Sequence, residues 1–188
     1  MKLYFAPQTR ALRPLIMLEE LGLPYEIVPI DFKGGQHKSA EYKEIHPHGQ
    51  LPAFQDGALT MFESGAICAY LADKFPDKRM APPLGTAERG LYEQWMYYSV
   101  ASLEGNTRDR ERIRECFQVL DGVLKGREFI VGNSMSAADV MIGSGVVWID
   151  ALYKMMNEFP SLEAYARRML ARPSFQRGFA AYAGTGQS

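Results

Sequence analysis

A chain of 188 residues, 47% of them apolar, can bury a core in one compact unit or in two small ones. Its formal net charge of −1 and pI near 6.3 give no electrostatic reason to bind nucleic acid or an acidic membrane surface, so neither partner is expected. The longest apolar run, Val140–Ile149, is interrupted by Gly143, Ser144 and Gly145 and is too short to span a bilayer.

Met1–Phe5 passes straight into a turn, without a long apolar stretch or a small-residue cleavage site, so no secretory leader is expected. Cys68 and Cys116 lie far apart and outside any Cys-x-x-Cys pattern. A structural disulfide is therefore not expected, and the location reads as cytoplasmic. His37, His46 and His48 share one polar loop without regular ligand spacing; they read as solvated loop residues, and no metal is expected.

In chain order, Lys2–Phe5 reads as a short strand and Ala6–Arg10 as a turn. A helix follows through Leu12, Leu15, Ile16, Leu18 and Leu21, with Pro14 tolerated in its first turn and Gly22 as its stop. Tyr25–Ile30, rich in β-branched and aromatic residues, reads as a second strand. Asp56-Gly57, between Ala53-Phe54 and Leu59–Met61, reads as a two-residue hairpin turn, and Ser64–Phe75 as a helix. Strand–helix–strand followed by hairpin–helix gives a four-stranded mixed sheet of the thioredoxin type. Pro76, Pro82 and Pro83 mark a linker, after which only helices are expected: Ala87–Leu103, with a stripe of Leu91, Trp95, Tyr98 and Ser102, and Arg108–Leu124. The charge run that opens Arg108–Leu124 reads as a solvated face. Ser136-Ala137-Ala138-Asp139 is a capping box before a further apolar helix, and the tail Gly184–Ser188 is expected to fray.

The most informative stretch is Gln50–Tyr70. Leu51-Pro52 presents a backbone whose pairing is restricted by proline. Glu63-Ser64 then places a carboxylate and a hydroxyl at the positive end of a helix, where an anion is stabilised. This run resembles the glutathione-binding half of the cytosolic glutathione transferases, and more narrowly their bacterial-type, serine/threonine-dependent classes. The capping box, Phe129-Ile130-Val131-Gly132, Phe159-Pro160-Ser161-Leu162 and Arg172-Pro173-Ser174-Phe175 are similar to that family's C-terminal landmarks, so the resemblance covers nearly the whole chain.

The resemblance implies an α/β thioredoxin-like N-terminal domain over 1–76, a linker over 77–86 and an all-α C-terminal helical domain over 87–188. It also implies a homodimer, glutathione as co-substrate with no tightly bound cofactor, and a small electrophile as second substrate. Ser64 and Glu63 would hold the γ-glutamyl carboxylate and amine. The backbone of Leu51, before a cis Pro52, would pair with the ligand's cysteinyl backbone, and Gln50 stands where the family often has lysine. Thr9 matches the hydroxyl residue that stabilises the thiolate; Tyr4 at the strand end and the charge of Arg10 are the alternatives. The electrophile would lie near Met96, Tyr97 and Ser99–Ser102. There the terse Glu104–Asp109 connection departs from the family's taller hairpin, with less wall for the pocket and less dimer contact. A non-catalytic member of the fold, acting as a binding module, is the competing reading, although such proteins usually lose the Glu-Ser pair and the loop hydroxyl. A thioredoxin or glutaredoxin is excluded because Ala6–Arg10 contains no cysteine.

Overall fold

The computed structural model describes residues 1–184, so of the tail read as frayed only Gly184 lies among the described residues. The chain forms two compact units, one of Met1–Leu71 with the segment from Pro173 onward, the other of Ala72–Arg172.

In the first unit, β1 (Lys2–Phe5), α1 (Leu12–Leu21) and β2 (Glu26–Pro29) make the parallel crossover. After α2 (Ala40–Lys43) come β3 (Ala53–Asp56), β4 (Leu59–Phe62) and α3 (Ser64–Lys74). The sheet order is β2-β1-β3-β4, with β1–β2 parallel and the other two pairings antiparallel, which is the mixed four-stranded sheet expected. Gly22 stops α1 in the left-handed region, φ 64°. The hairpin differs by one residue from the reading. Asp56 still pairs with Leu59, and the two loop residues are Gly57 and Ala58, with positive φ (59°) at the glycine alone, the pattern of a type II′ turn. Asp56 is held in the strand because its carboxylate accepts from the Tyr70 hydroxyl at 2.8 Å.

Strand alternation splits the core. Tyr4 turns to one face of the sheet, where it packs with Ala6, Ile30, Tyr42, Leu51 and Ala53, while Leu3 and Phe5 are buried on the other. The final helix, α8 (Pro173–Ala183), belongs to this unit, although the expectation grouped it with the helical segment 87–188. It runs along α1, where Gly178 permits close approach to Ile16 and where Ser174 and Arg177 bond Glu20 and Glu19.

The second unit holds α4 (Ala87–Tyr98), α5 (Arg110–Leu124), α6 (Ala137–Tyr153) and α7 (Pro160–Leu170). α4 runs on through a π-helical turn, Ser99–Leu103. Its buried stripe is Tyr92, Trp95, Met96 and Ser99, whereas Leu91 of the expected stripe is 46% exposed. The reason is tertiary: the Ser99 hydroxyl donates to the Met141 carbonyl of α6. The charge run ahead of the buried Ile113 and Phe117 pairs at the surface, Arg112 with Glu115 and Arg114 with Glu158. The capping box forms as expected. Asp139 is fully buried and accepts from the amides of Ile130 and Ser136, the Ser136 hydroxyl and the Tyr165 hydroxyl. Burial pushes its carboxyl up and those donors pull it down; burial prevails.

Thr86 caps α4, its hydroxyl oxygen accepting from the Arg89 amide at 3.1 Å. Thr86→Ala is expected to cost about 1 kcal/mol, lowering the melting temperature by roughly 2–4 °C. Circular dichroism on heating checks this, and an unchanged transition would show that the cap contributes nothing.

Candidate active site

Register alone gathers the candidate residues. Tyr4 pairs with Ala53, and Ala53 pairs with Phe62. The end of β1, the start of β3 and the end of β4 therefore lie at one end of the sheet. From that end continue the Ala6–Arg10 turn, Leu51-Pro52 and Glu63-Ser64.

Ser64 is the first residue of α3 and is buried, 4% exposed. Before it, Glu63 is held at φ 73°, a left-handed conformation uncommon for a residue with a side chain, and its carbonyl accepts the Ile67 amide at 3.0 Å. That turn leaves the Glu63 carboxylate exposed while Ser64 points inward. The Arg13 guanidinium, buried at the start of α1, donates to Ser64 Oγ at 3.3 Å. With its oxygen accepting from Arg13, the Ser64 hydroxyl is set to donate to an acceptor such as a carboxylate. Burial and the nearby charge of Arg10 bring Arg13 down to about 10, still charged at neutral pH, so it adds positive potential behind the helix end. Cys68, on the same helix, is fully buried and its thiol is pushed up to about 12, against the pull of Arg13, which leaves it inert.

The Leu51–Pro52 bond is cis. β3 begins only at Ala53, so the Leu51 backbone lies beyond the ladder, and no other described residue bonds its amide or carbonyl. Gln50 is exposed, and its carbonyl accepts from the Tyr42 hydroxyl at 2.8 Å. The preceding turn is fixed by Lys38, whose ammonium bonds the carbonyls of His48 and Gly49 at 3.0 and 2.9 Å. Gly49 has φ 54°, and a Cβ there would fall 2.2 Å from the His37 carbonyl oxygen, so only glycine fits.

The three thiol-activating candidates sit differently. The Thr9 hydroxyl, half-buried in the turn, donates to the Ala6 carbonyl at 2.6 Å and accepts from the Ala11 amide at 3.4 Å. The Tyr4 hydroxyl donates to Gln55 Oε1 at 2.9 Å. Gln55 pairs with Lys2, toward the opposite end of β1 from the Ala6–Arg10 turn. Arg10 is exposed.

Residues 1–73 match the family described as "Glutathione S-transferase, N-terminal domain" and residues 104–173 that described as "Glutathione S-transferase, C-terminal domain". Glutathione S-transferase 1 of Zea mays is 30% identical, with 94% of each chain covered. The chain belongs to the glutathione S-transferase family. Among solved structures, this family member is similar to a sphingomonad glutathione S-transferase complexed with glutathione, with 26% identity, TM-score 0.86 and 100% of both chains covered. It is also similar to a glutathione transferase of Phanerochaete chrysosporium in complex with oxidized glutathione, with 27% identity, TM-score 0.88, and 98% and 96% covered.

Two residues of this glutathione S-transferase, Arg13 and Lys38, were not singled out by sequence reasoning, and a third, His46, was read differently. Arg13 had a signal, an arginine set within the apolar run Leu12–Leu18. Lys38 had none, because its role depends on a fold-back onto residues ten and eleven positions later. His46 corrects the reading of a solvated loop. It is 3% exposed, stacked on Phe62 with ring centroids 4.6 Å apart, and burial lowers its pKa against the opposing pull of Glu63. Among the described residues no group of His, Cys, Asp and Glu is arranged to hold a metal, and no helix is long and apolar enough to cross a membrane.

Proposed function

We propose that the chain acts as a glutathione transferase whose ligand is anchored by Ser64, Glu63, Gln50 and the Leu51 backbone and whose thiol is activated by Thr9. The observation that carries this reading is the buried Ser64 hydroxyl, which opens α3 next to the left-handed Glu63 and is backed by Arg13 of α1. Ser64 and the helix amides receive the γ-glutamyl carboxylate, and the Glu63 carboxylate receives the ammonium. Leu51 offers its amide and carbonyl to the cysteinyl residue as a short antiparallel pair. Pro52, which has no amide proton, ends that pair. Gln50 and the Lys38 charge behind it suit the glycyl carboxylate.

The reaction is nucleophilic substitution. The thiol proton leaves to solvent, the thiolate sulfur bonds the electrophilic atom, and the leaving group departs with its electron pair. A thiol with a pKa near 8.5 is only a few per cent ionised at neutral pH, so a hydrogen bond to the anion is the lever. Thr9 supplies it by turning its proton from the Ala6 carbonyl to the sulfur. That the proton is committed to Ala6 favours one second reading, a glutathione-binding module without turnover. Calorimetric titration with glutathione, followed by a panel of an activated aryl halide, a peroxide and a mixed disulfide, separates the two. Binding without turnover on any of them selects the module, and no binding removes both.

We place the enzyme in the cytoplasm, a location that suits its two free, buried cysteines. We also propose a homodimer, supported by apolar residues left exposed on the α4 segment, Tyr97 at 69% and Val100 at 39%. Light scattering at micromolar concentration should give about twice the 21.1 kDa chain mass; a monomer mass would contradict the proposal.

A further inference from the structure

Gln8, one residue before Thr9, has φ 60° although it carries a side chain. Such a conformation persists only where the surroundings hold it. The side chain is exposed and does not anchor the residue. The backbone does: the Gln8 amide donates to the carbonyl of Tyr182, in the last turn of α8, at 3.0 Å. The end of that helix also lies against the neighbouring residue, since a Cβ on Gly184 would stand 3.9 Å from Pro7 Cγ. The turn that carries Thr9 is thus tied at Gln8 to a residue more than 170 positions away in sequence.

How far α8 stands from α1 is set by Gly178. A Cβ there would fall 2.5 Å from Cγ1 of the fully buried Ile16 and 3.1 Å from Cδ1 of Leu12. Ordinary carbon contacts lie at about 3.5–4.0 Å, so a methyl group would push the helix outward by roughly 1 Å. Gly178 and Tyr182 are four residues apart and share one helix face, so that shift reaches the Tyr182 carbonyl. A 3.0 Å hydrogen bond stretched by that amount is lost.

We propose that α8 is a positioning element for catalysis: through Gly178 and the Tyr182 carbonyl it fixes Gln8 and so sets the geometry of the thiol-facing turn that carries Thr9. The proposal rests on the reading of Thr9 as the thiol-activating hydroxyl. The glutathione anchors sit on α3 and on the loop before β3, so displacing α8 weakens activation of the thiol and leaves affinity in place.

The test uses full-length Gly178→Ala and Gly178→Ala/Ile16→Ala, with Thr9→Ala alongside. Gly178→Ala should raise the pKa of bound glutathione by about one unit, read as thiolate absorbance against pH. It should lower turnover of an activated aryl halide at neutral pH about tenfold, with recovery at higher pH, and leave the calorimetric affinity within about twofold. The double variant, which removes the obstructing Ile16 side chain, should return toward the parent. Affinity and turnover falling together with an unmoved thiolate titration would overturn the proposal, as would failure of the double variant to restore the pKa. A titration shifted by Gly178→Ala but not by Thr9→Ala fails the Thr9 reading alone and leaves the coupling standing; the reverse fails the coupling alone. Hydrogen exchange on the unaltered protein guards against a variant that does not fold. The Gln8 amide should exchange as slowly as the last turn of α8, and exchange at the free-peptide rate would overturn the tether itself.

Discussion

Thr9→Ala should raise the pKa of bound glutathione by about one unit and cut turnover at neutral pH by about one order of magnitude, leaving the affinity for the protonated ligand nearly intact. A hydrogen bond to a charged acceptor is worth about 1.5–3 kcal/mol, which alone would shift the thiol by one to two units. The structure argues for the lower end. The Thr9 hydroxyl has one proton, and it must give up a 2.6 Å bond to the Ala6 carbonyl before it can donate to sulfur. The sign is fixed by the direction of the bond. A donor stabilises the thiolate and lowers its pKa, so removing the donor raises it, and activity returns as pH climbs through the new value. Thr9→Ser keeps the donor and most of the activity. Tyr4→Phe removes a bond to Gln55 within the sheet and should leave the titration where it was. Ultraviolet absorbance of the thiolate, followed against pH in all three variants, decides the matter. A titration moved by Tyr4→Phe and not by Thr9→Ala would transfer the role to the tyrosine.

Ser64→Ala should weaken glutathione binding by about 1–3 kcal/mol, roughly fivefold to 150-fold in Kd. The hydroxyl is buried, so a carboxylate bound to it would be partly removed from water and could not recover a full substitute from solvent. Its loss also takes from Arg13 the acceptor at 3.3 Å, which leaves a buried charge less well satisfied beside the ligand. The two variants are distinguishable. Ser64→Ala moves affinity and leaves the pKa of the glutathione that still binds, whereas Thr9→Ala does the opposite. Isothermal calorimetry measures the first effect, and an affinity equal to that of the parent would remove Ser64 from the site.

Local chemistry was enough to lay out most of the fold and to mark a candidate site along the chain. Gly22 after an apolar helix, the glycine of the hairpin, the Ser136–Asp139 box and the prolines of the linker act within a few residues of themselves, so their meaning survives in one dimension. Glu63-Ser64 at a helix start after Leu51-Pro52 is of the same kind. Strand order followed, because a crossover and a hairpin leave few ways to join four strands.

What lay beyond the sequence is what depends on partners distant along the chain. Arg13 meets Ser64 across fifty-one positions, Lys38 folds back onto Gly49, and His46 is buried because Phe62 happens to cover it. The stripe of α4 fell on Tyr92 and Ser99 rather than Leu91 because α6 supplies the carbonyl of Met141. α8 joined the sheet-bearing unit because Gly178 fits against Ile16. Periodicity tells a helix that it has an apolar face, but which neighbour covers that face is settled by packing among elements far apart in sequence, and only the folded chain brings those elements into contact.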